Sequence, residues 1–294
     1  MRKLVIGCGY LGQRVAALWR DSGDHVFATT RHAEEANRFR AEGLEPLVCD
    51  VLDRASLTQL PQVDTVLYAV GFDRSSGATM RAVYVDGLAN VLSVAHASGS
   101  GFGRFIYVSS SSVYGQSDGG WVDEKSPTEP QEESGRIVLE AERTLSSFSA
   151  RRHLRALSED SHIILRFGGI YGPGRLLRRA AIERGEPIIG DADKWLNLTH
   201  ADDGARVILA AEARGTPGRI YNVCDGTPVH RRDFYTALAR VLGAPAPRFA
   251  PPTAEVPPHE LANRRIRNAR MMEELRPELR YPEYAAGLAA SVGA

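Results

Sequence analysis

The sequence predicts an α/β fold in which a doubly wound parallel sheet is covered by helices on both faces, with a smaller lobe toward the carboxyl terminus. Three observations lead to this prediction. The first half of the chain alternates short apolar runs with longer amphipathic stretches, a glycine-rich turn joins the first run to the first stretch, and the pattern becomes irregular after residue 167. Alternation of strands and helices is typical of βαβ units with right-handed crossovers.

The apolar runs predict six strands, and the amphipathic stretches between them predict helices. The predicted strands are Lys3–Ile6, His25–Thr29, Glu45–Cys49, Asp64–Val70, Arg104–Val108 and His162–Phe167. The predicted helices are Gln13–Arg20, the charged, alanine-rich Ala33–Glu42, Arg54–Leu60, Thr79–Ala97 and Ile137–Leu145. The polar segment Gly115–Glu133 predicts a loop, because it is rich in glycine and proline.

The two halves of the chain predict two structural units. Glycine and proline interrupt the pattern at Gly168–Gly174, and Pro245–Pro258 is especially proline-rich. We expect residues 1–167 and 199–224 to form the larger unit, and residues 168–198 and 225–294 to form the smaller lobe.

Composition excludes several classes of partner. The 294 residues carry no net charge, whereas a protein that binds nucleic acid or a membrane surface usually has a basic excess. No apolar run approaches the roughly 20 residues of a membrane span. The chain has three cysteines, Cys8, Cys49 and Cys224. A small, odd number of cysteines argues against a disulfide framework and fits a reducing cytoplasm.

The glycine-rich turn predicts a dinucleotide site of the Rossmann type. Its residues are Gly7, Gly9 and Gly12 of a G-x-G-x-x-G motif, with Tyr10 and Leu11 between the last two. The motif follows the first predicted strand and opens the first predicted helix, where backbone N–H groups and the positive end of the helix dipole attract phosphates. The alternative is a glycine turn that binds no ligand.

The end of the second strand favours NADP over NAD. NAD-binding folds usually place a carboxylate there, about 20 residues past the glycines, but this chain has Thr30 and Arg31. A guanidinium suits a 2′-phosphate, unless Arg31 is simply a solvated surface residue. The ends of the third and fourth strands add further candidate cofactor contacts, which are Asp50, Val51, Ala69, Val70 and Gly71.

The order of several further motifs resembles the extended short-chain dehydrogenase/reductase superfamily, of the NAD-dependent epimerase/dehydratase type. The segments that carry this resemblance are Phe105–Gly115 with its serine run and Val-Tyr-Gly, Leu165–Gly174, Thr199–Asp203, Ile220–Val223 and Tyr281–Tyr284. The resemblance implies hydride transfer between a sugar carbon and a nicotinamide. It also implies a catalytic tyrosine with a lysine four residues later on one face of a helix.

This chain departs from the family at that pair. Aligning Glu142 with the family's Y-x-x-x-K-x-x-x-E pattern puts Ser134 at the tyrosine position and Val138 at the lysine position. No other register restores the pair, because no tyrosine lies between Tyr114 and Tyr171 and no lysine lies between positions 125 and 194. The chain is therefore identified as an atypical branch of the superfamily.

The resemblance also suggests the remaining site residues. Ser110 matches the family's catalytic serine, although a run of serines can equally be a polar strand end, and Tyr114 is the nearest phenol to it. Ser109, Gly169 and Ile170 would contact the cofactor. Ser111, Arg175 and Arg178 would contact the substrate, with an exposed helix face as the alternative for the arginines. Glu132, Glu133 and Arg136 lie within reach of the same region.

Two functions follow. The first is an NADP-dependent oxidoreductase or epimerase/dehydratase-like enzyme that acts on a sugar nucleotide or a similar polar metabolite with a substituted base. The second is a non-catalytic NADP-binding redox sensor or regulator. By analogy with the family we expect a homodimer, and no group of residues has the spacing of a metal site.

Overall fold

The computed structural model describes residues 1–97, 102–150, 162–251 and 262–293. A seven-stranded parallel sheet forms its centre, and four pairs of short strands surround it. The strands are β1 (Arg2–Ile6), β2 (His25–Thr30), β3 (Glu45–Val48), β4 (Thr65–Tyr68), β5 (Arg104–Ser110), β6 (Trp121–Val122), β7 (His162–Phe167), β8 (Gly169–Tyr171), β9 (Ile188–Ile189), β10 (Trp195–Leu196), β11 (Leu198–His200), β12 (Ile220–Val223), β13 (Val229–His230), β14 (Phe249–Ala250) and β15 (Arg265–Ile266). The central order is β12-β7-β5-β4-β1-β2-β3.

Helices cover both faces of this sheet. The helices that cover it are α1 (Gly12–Asp21), α2 (Ala33–Ala41), α3 (Gly87–Ala97), α4 (Glu133–Ala150) and α6 (Ala201–Arg214). Three others, α5 (Arg179–Glu183), α7 (Arg231–Leu242) and α8 (Tyr284–Val292), pack in a different core. Alternate residues of β1 serve the two faces: Leu4 and Ile6 pack in the core beneath α3 and α4, whereas Val5 packs in the core beneath α1 and α6. This double burial explains why the central strands are continuous apolar runs.

The strand order places a ligand crevice at a defined edge. Strand β1 lies between β4 and β2, so the chain winds one way from β1 to β3 and the other way from β4 to β12. In open parallel sheets, ligands bind at such a switch point, beyond the carboxyl ends of the strands. The glycine turn, which leaves β1 at Ile6, therefore lies at the expected place.

The predicted doubly wound α/β class is confirmed, with local differences. The stretch predicted as one helix from Thr79 contains a π-helical turn at Ala82–Asp86 before α3, and the short helix predicted at Arg54–Leu60 is a single 3-10 turn, Ser56–Gln59. The predicted loop Gly115–Glu133 contains β6, which pairs in parallel with the distant β15. Residues 252–258 of the proline-rich stretch lie outside the described residues.

A separate apolar core lies within the segments that the sequence assigns to the smaller lobe. It contains Tyr171, Ile182, Phe234, Leu238 and Leu288, contributed by β8, α5, α7 and α8. The π-helical turn Met271–Leu275, which the predicted boundaries assign to this lobe, instead packs in the core beneath α1 and α6. The division into two units stays a prediction, and this late segment contacts the larger unit.

Candidate cofactor and active site

Two of the three glycines in the turn after β1 are required by packing. Gly7 has φ +84°, and a Cβ there would lie 2.6 Å from the backbone N and Cα of Val70. A Cβ at Gly12 would lie 2.7 Å from the carbonyl oxygen of Gly7, so α1 could not begin so close to the strand. The N–H of Gly7 donates to Thr29 Oγ1 at 3.0 Å, which fixes the turn to β2.

Gly9 differs from its two neighbours in the motif. It is exposed, its φ lies outside the range in which glycine is favoured, and a Cβ at this position would meet no atom within 4 Å. The fold therefore gives no reason for glycine here. Close approach of a dinucleotide to the backbone would give one.

A cleft of about 340 Å³ opens beside this turn. Its lining includes eight residues predicted from the sequence, which are Gly7, Gly9, Thr30, Arg31, Asp50, Val51, Val70 and Gly71. It also includes residues that the sequence analysis missed, which are Cys8, Gln13, Thr29, His32, Glu35, Phe39, Cys49, Leu52, Asp73, Ser76, Ala78 and Val83. Most of the missed residues come from strand ends and loops that carry no motif, so only their position after a predicted strand could have indicated them.

Four further predicted residues, Tyr10, Leu11 and Gly12 of the motif and Ala69 after β4, lie outside this lining. The guanidinium groups of Arg14 and Arg175 lie 4.1 and 5.4 Å from the centre of the Tyr10 ring, and the Tyr10 hydroxyl donates to the carbonyl oxygen of Pro173 at 3.0 Å. Leu11 is buried beneath the turn, and Ala69 is bonded to β1 through its N–H. Their side chains hold the loop in place, so any contact of Tyr10 or Leu11 with a phosphate would come from the backbone.

Arg31 lies at the rim of the cleft and already has an anionic partner. Its Nη2 is 3.2 Å from Asp73 Oδ2, and both side chains are more than 40% exposed. Hydrogen bonds from Ser75 and Arg31 lower the pKa of Asp73, so the carboxylate is charged at neutral pH. An exposed pair of this kind is worth little, so the guanidinium is accessible to a stronger anion.

A second cavity, of about 280 Å³, lies where β5 and β7 end and the smaller lobe begins. Predicted residues Ser111, Gly169 and Ile170 line it. The rest of the lining is Ser112, Glu132, Tyr171, Leu177, Lys194, Trp195, Leu196, Asn197, Leu198, Phe234, Tyr235, Ala262 and Arg264. It combines an apolar wall with a small number of polar groups, which is typical of a site for a small molecule.

One end of this cavity is polar. Arg264 donates from Nη2 to the carbonyl oxygen of Ser111 at 2.9 Å, and Ser134 donates from Oγ to Glu132 Oε2 at 3.2 Å. Burial lowers the pKa of Arg264, and the negative charge of Glu132 opposes that effect. No sequence motif indicates Arg264, which contacts Ser111 across 153 residues of chain.

The predicted catalytic pair is not brought together in this cavity. The Ser110 hydroxyl accepts a hydrogen bond from Ser112 N at 3.1 Å and caps a 3-10 turn. The Tyr114 phenol is buried, donates to Asn222 Oδ1 at 2.8 Å and accepts from Arg166 Nη1 at 3.1 Å. Burial raises the pKa of Tyr114 despite the positive charge of Arg166. Its position therefore does not suit the acid–base role that the sequence suggested.

A buried polar network explains that position. Arg166 on β7 donates from Nε and Nη2 to the two carboxylate oxygens of Glu142, at 3.0 and 2.7 Å. Ser109 Oγ also donates to Glu142, at 2.5 Å. The Ser109 side chain is thereby turned into the protein, so only its backbone could contact a cofactor.

The two predicted substrate arginines also lie outside the second cavity. Arg175 Nε donates to the carbonyl oxygen of Ile170 at 3.3 Å, while its guanidinium lies 5.4 Å from the centre of the Tyr10 ring. Arg178 is exposed and has φ +64° at the start of α5. Lys194 and Arg264 are the cationic side chains in the lining instead.

Comparison with known proteins agrees with this architecture. Residues 4–224 match the model of the NAD dependent epimerase/dehydratase family. The chain belongs to this family. Its fold, the parallel sheet with the glycine turn at the switch point, is the one that family membership predicts, and the resemblance stated from the motifs is confirmed.

Individual relatives are similar over nearly the whole chain. Protein YeeZ of Escherichia coli (strain K12) is 32% identical over 260 residues, which cover 85% of this chain and 87% of that protein. The structure of a functionally unknown conserved protein from Silicibacter pomeroyi is 29% identical with a TM-score of 0.79, over 100% of this chain and 99% of that one. DesIV, a dTDP-glucose 4,6-dehydratase of Streptomyces venezuelae solved with NAD bound, is 25% identical with a TM-score of 0.81, over 100% of this chain and 96% of that one.

The part of the chain that the structure describes lacks both a membrane-spanning helix and a cluster of metal ligands. None of the helices that the structure describes is long and apolar enough to cross a membrane. Within the same residues, no group of three histidine, cysteine, aspartate or glutamate side chains could hold a metal ion.

Proposed function

We propose that this protein binds a pyridine dinucleotide and uses it for hydride transfer at a hydroxyl-bearing carbon of a sugar nucleotide or a similar polar metabolite. The observation that carries the proposal is the cleft of about 340 Å³ built on the glycine turn. In this cleft the space beside the Gly9 backbone is open, so a diphosphate could approach that backbone closely. A bound dinucleotide would supply the hydride donor or acceptor.

The residues of the two cavities divide the work. Gly7, Gly9 and the first turn of α1 would hold the diphosphate, and Asp50 and Val51 would contact the adenosine half. Ser111, Gly169 and Ile170 line the second cavity, which would hold the substrate and exclude water from it. Sugar-nucleotide enzymes such as the DesIV dehydratase share this fold, which supports that class of substrate.

We propose a preference for NADP on the basis of Arg31. The arginine lines the cleft at its rim, and a dianionic 2′-phosphate could compete with Asp73 for the guanidinium. The similar DesIV structure contains NAD, so NAD is the alternative. Calorimetric titration with both oxidised and both reduced cofactors tests the choice, and tighter binding of NAD than of NADP would reject it.

A non-catalytic redox sensor is the second candidate. The observation that favours it is α4, which carries Ser134 and Val138 where the family has tyrosine and lysine. Incubation with NAD or NADP and a panel of UDP-glucose, UDP-glucuronic acid and dTDP-glucose, followed at 340 nm, by mass spectrometry and by NMR of the sugar protons, separates the two. Cofactor binding without turnover of any member would favour the sensor.

A further inference from the structure

The second cavity contains a charged pair that none of the family motifs describes. Arg264 and Glu132 both line it, although they lie far apart in the sequence. Arg264 enters from the segment before β15, and Glu132 directly precedes α4. Burial lowers the pKa of Arg264, and the negative charge of Glu132 acts in the opposite direction.

Arg264 has an unused donor. Its Nη2 is bonded to the carbonyl oxygen of Ser111, but Nη1 is buried without a hydrogen-bond partner among the residues that the structure describes. A buried donor without a partner is costly, and such groups occur where a ligand or an ordered water completes the bonding. Because Arg264 lines the cavity, a substrate oxygen in the cavity is a suitable acceptor.

Glu132 is held close to the position that the family's tyrosine would occupy. It accepts a hydrogen bond from Ser134, the residue aligned with that tyrosine. The start of α4 is packed tightly against the serine segment, since a Cβ at Gly135 would lie 2.4 Å from the carbonyl oxygen of Ser112. Glu132 is half-buried, and its neighbour Glu133 is exposed.

We propose that Glu132 is the catalytic base of this site and that Arg264 binds the reacting oxygen. This inference rests on the proposed hydride-transfer function. As the carbinol carbon loses its hydride to the oxidised dinucleotide, the O–H bond breaks and its proton passes to the Glu132 carboxylate. The C=O bond forms while the oxygen accepts a hydrogen bond from Arg264 Nη1. In the reverse direction the protonated Glu132 returns the proton.

The substitution Glu132→Gln removes the base and keeps the shape of the side chain. Using the substrate panel above, we expect Glu132→Gln to lower the rate of oxidation by about 10²- to 10⁴-fold, the range for a general base. The affinities for the dinucleotide and for UDP-glucose should stay within about twofold of wild type, because glutamine still fits the wall. Glu132→Asp should restore part of the rate. Glu133→Gln is the matched control, because it removes an adjacent exposed carboxylate, and its rate should equal that of wild type.

A binding measurement tests the pair without turnover. With Glu132 neutralised, the charge of Arg264 is uncompensated, so acetate should bind Glu132→Gln about tenfold more tightly than wild type or Glu133→Gln, as judged by calorimetry. Adding Arg264→Gln to the Glu132→Gln variant should abolish that gain in acetate affinity.

The outcomes separate the two proposals. Absence of wild-type turnover with every panel member would overturn the enzymatic function and the base with it. Wild-type turnover that Glu132→Gln retains would overturn the role of Glu132 alone. Equal acetate affinity of Glu132→Gln and Glu133→Gln would show that Glu132 does not act on Arg264, which also overturns the pair.

Discussion

Alanine at position 9 should weaken cofactor binding without weakening the fold. Gly9 is exposed, has no positive φ in the restricted range and would place a Cβ in open space. Replacing a glycine at a compatible conformation usually raises stability by about 0.4–1 kcal/mol, because the unfolded chain loses freedom. We therefore expect the free energy of unfolding of Gly9→Ala to be unchanged or slightly higher.

The same methyl group should obstruct the dinucleotide. If the diphosphate approaches the backbone at Gly9, forcing in one extra methyl group should cost about 1–3 kcal/mol. That range corresponds to an affinity loss of about 5- to 150-fold. Calorimetric titration with NADH and NADPH measures the affinity, and urea unfolding measures the stability on the same preparation.

Two other glycines provide matched controls. Gly23 has φ +85° and open space around it, so Gly23→Ala should lose only the cost of a left-handed backbone, about 1–2 kcal/mol. Gly7 has almost the same φ but also meets Val70 at 2.6 Å, so Gly7→Ala should lose about 2–5 kcal/mol. Destabilisation of Gly9→Ala comparable to that of Gly7→Ala, or wild-type affinity for both cofactors, would refute this reasoning.

Three further predictions concern charges. Arg31→Ala should weaken NADP binding about 10- to 150-fold and leave NAD binding unchanged in parallel titrations, since a charged hydrogen bond is worth about 1.5–3 kcal/mol. Arg166→Met should lower the free energy of urea unfolding by about 3–5 kcal/mol, because it leaves Glu142 charged and buried, and adding Glu142→Leu should recover part of the loss. Burial raises the pKa of Asp225 to about 7. Between about pH 4 and pH 7 the folded protein therefore holds a proton on Asp225 that the unfolded chain has lost. The free energy of unfolding should fall as the pH rises through this range, by up to about 1.4 kcal/mol per pH unit. Asp225→Asn should remove that slope in urea titrations at pH 5 and 6.5, and an unchanged slope would contradict the assignment.

The sequence predicts the sheet and the glycine turn because both depend on local patterns. Six of the seven central strands contain a short apolar run, and the turn after Ile6 has its glycines at a diagnostic spacing. The seventh strand, β12, was indicated only by the family resemblance of Ile220–Val223. The π-helical turn before α3 was not predicted, because a single wide turn leaves the helical periodicity of a short segment almost unchanged. The pairing of β6 with β15 was missed because each strand has only two residues.

The candidate site was only partly predictable, for a different physical reason. Its cleft is built from the ends of strands that lie side by side in space, so Asp73 reaches Arg31 across 42 residues. Tyr114 and Ser110 occupy positions that match the family, but their hydroxyl groups are bonded to Asn222, Arg166 and Ser112. A motif identifies which residue stands at a position, and it does not report which partners that residue has.

The residue that stands where the family has lysine is packed in the core of this chain, so simple reversion to tyrosine and lysine would not restore the family's site. Val138 is 6% exposed and belongs to an apolar cluster with Val113 and Ile266. Lysine at position 138 would bring an ammonium group into that cluster, and an unpaired buried charge is strongly destabilising. Val138 packs among apolar residues, and Ser134, one helical turn earlier, donates a hydrogen bond to the Glu132 carboxylate. Both observations fit the proposal that Glu132 is the proton acceptor of this site. We therefore expect Val138→Lys, alone or with Ser134→Tyr, to lose stability in urea unfolding without gaining turnover.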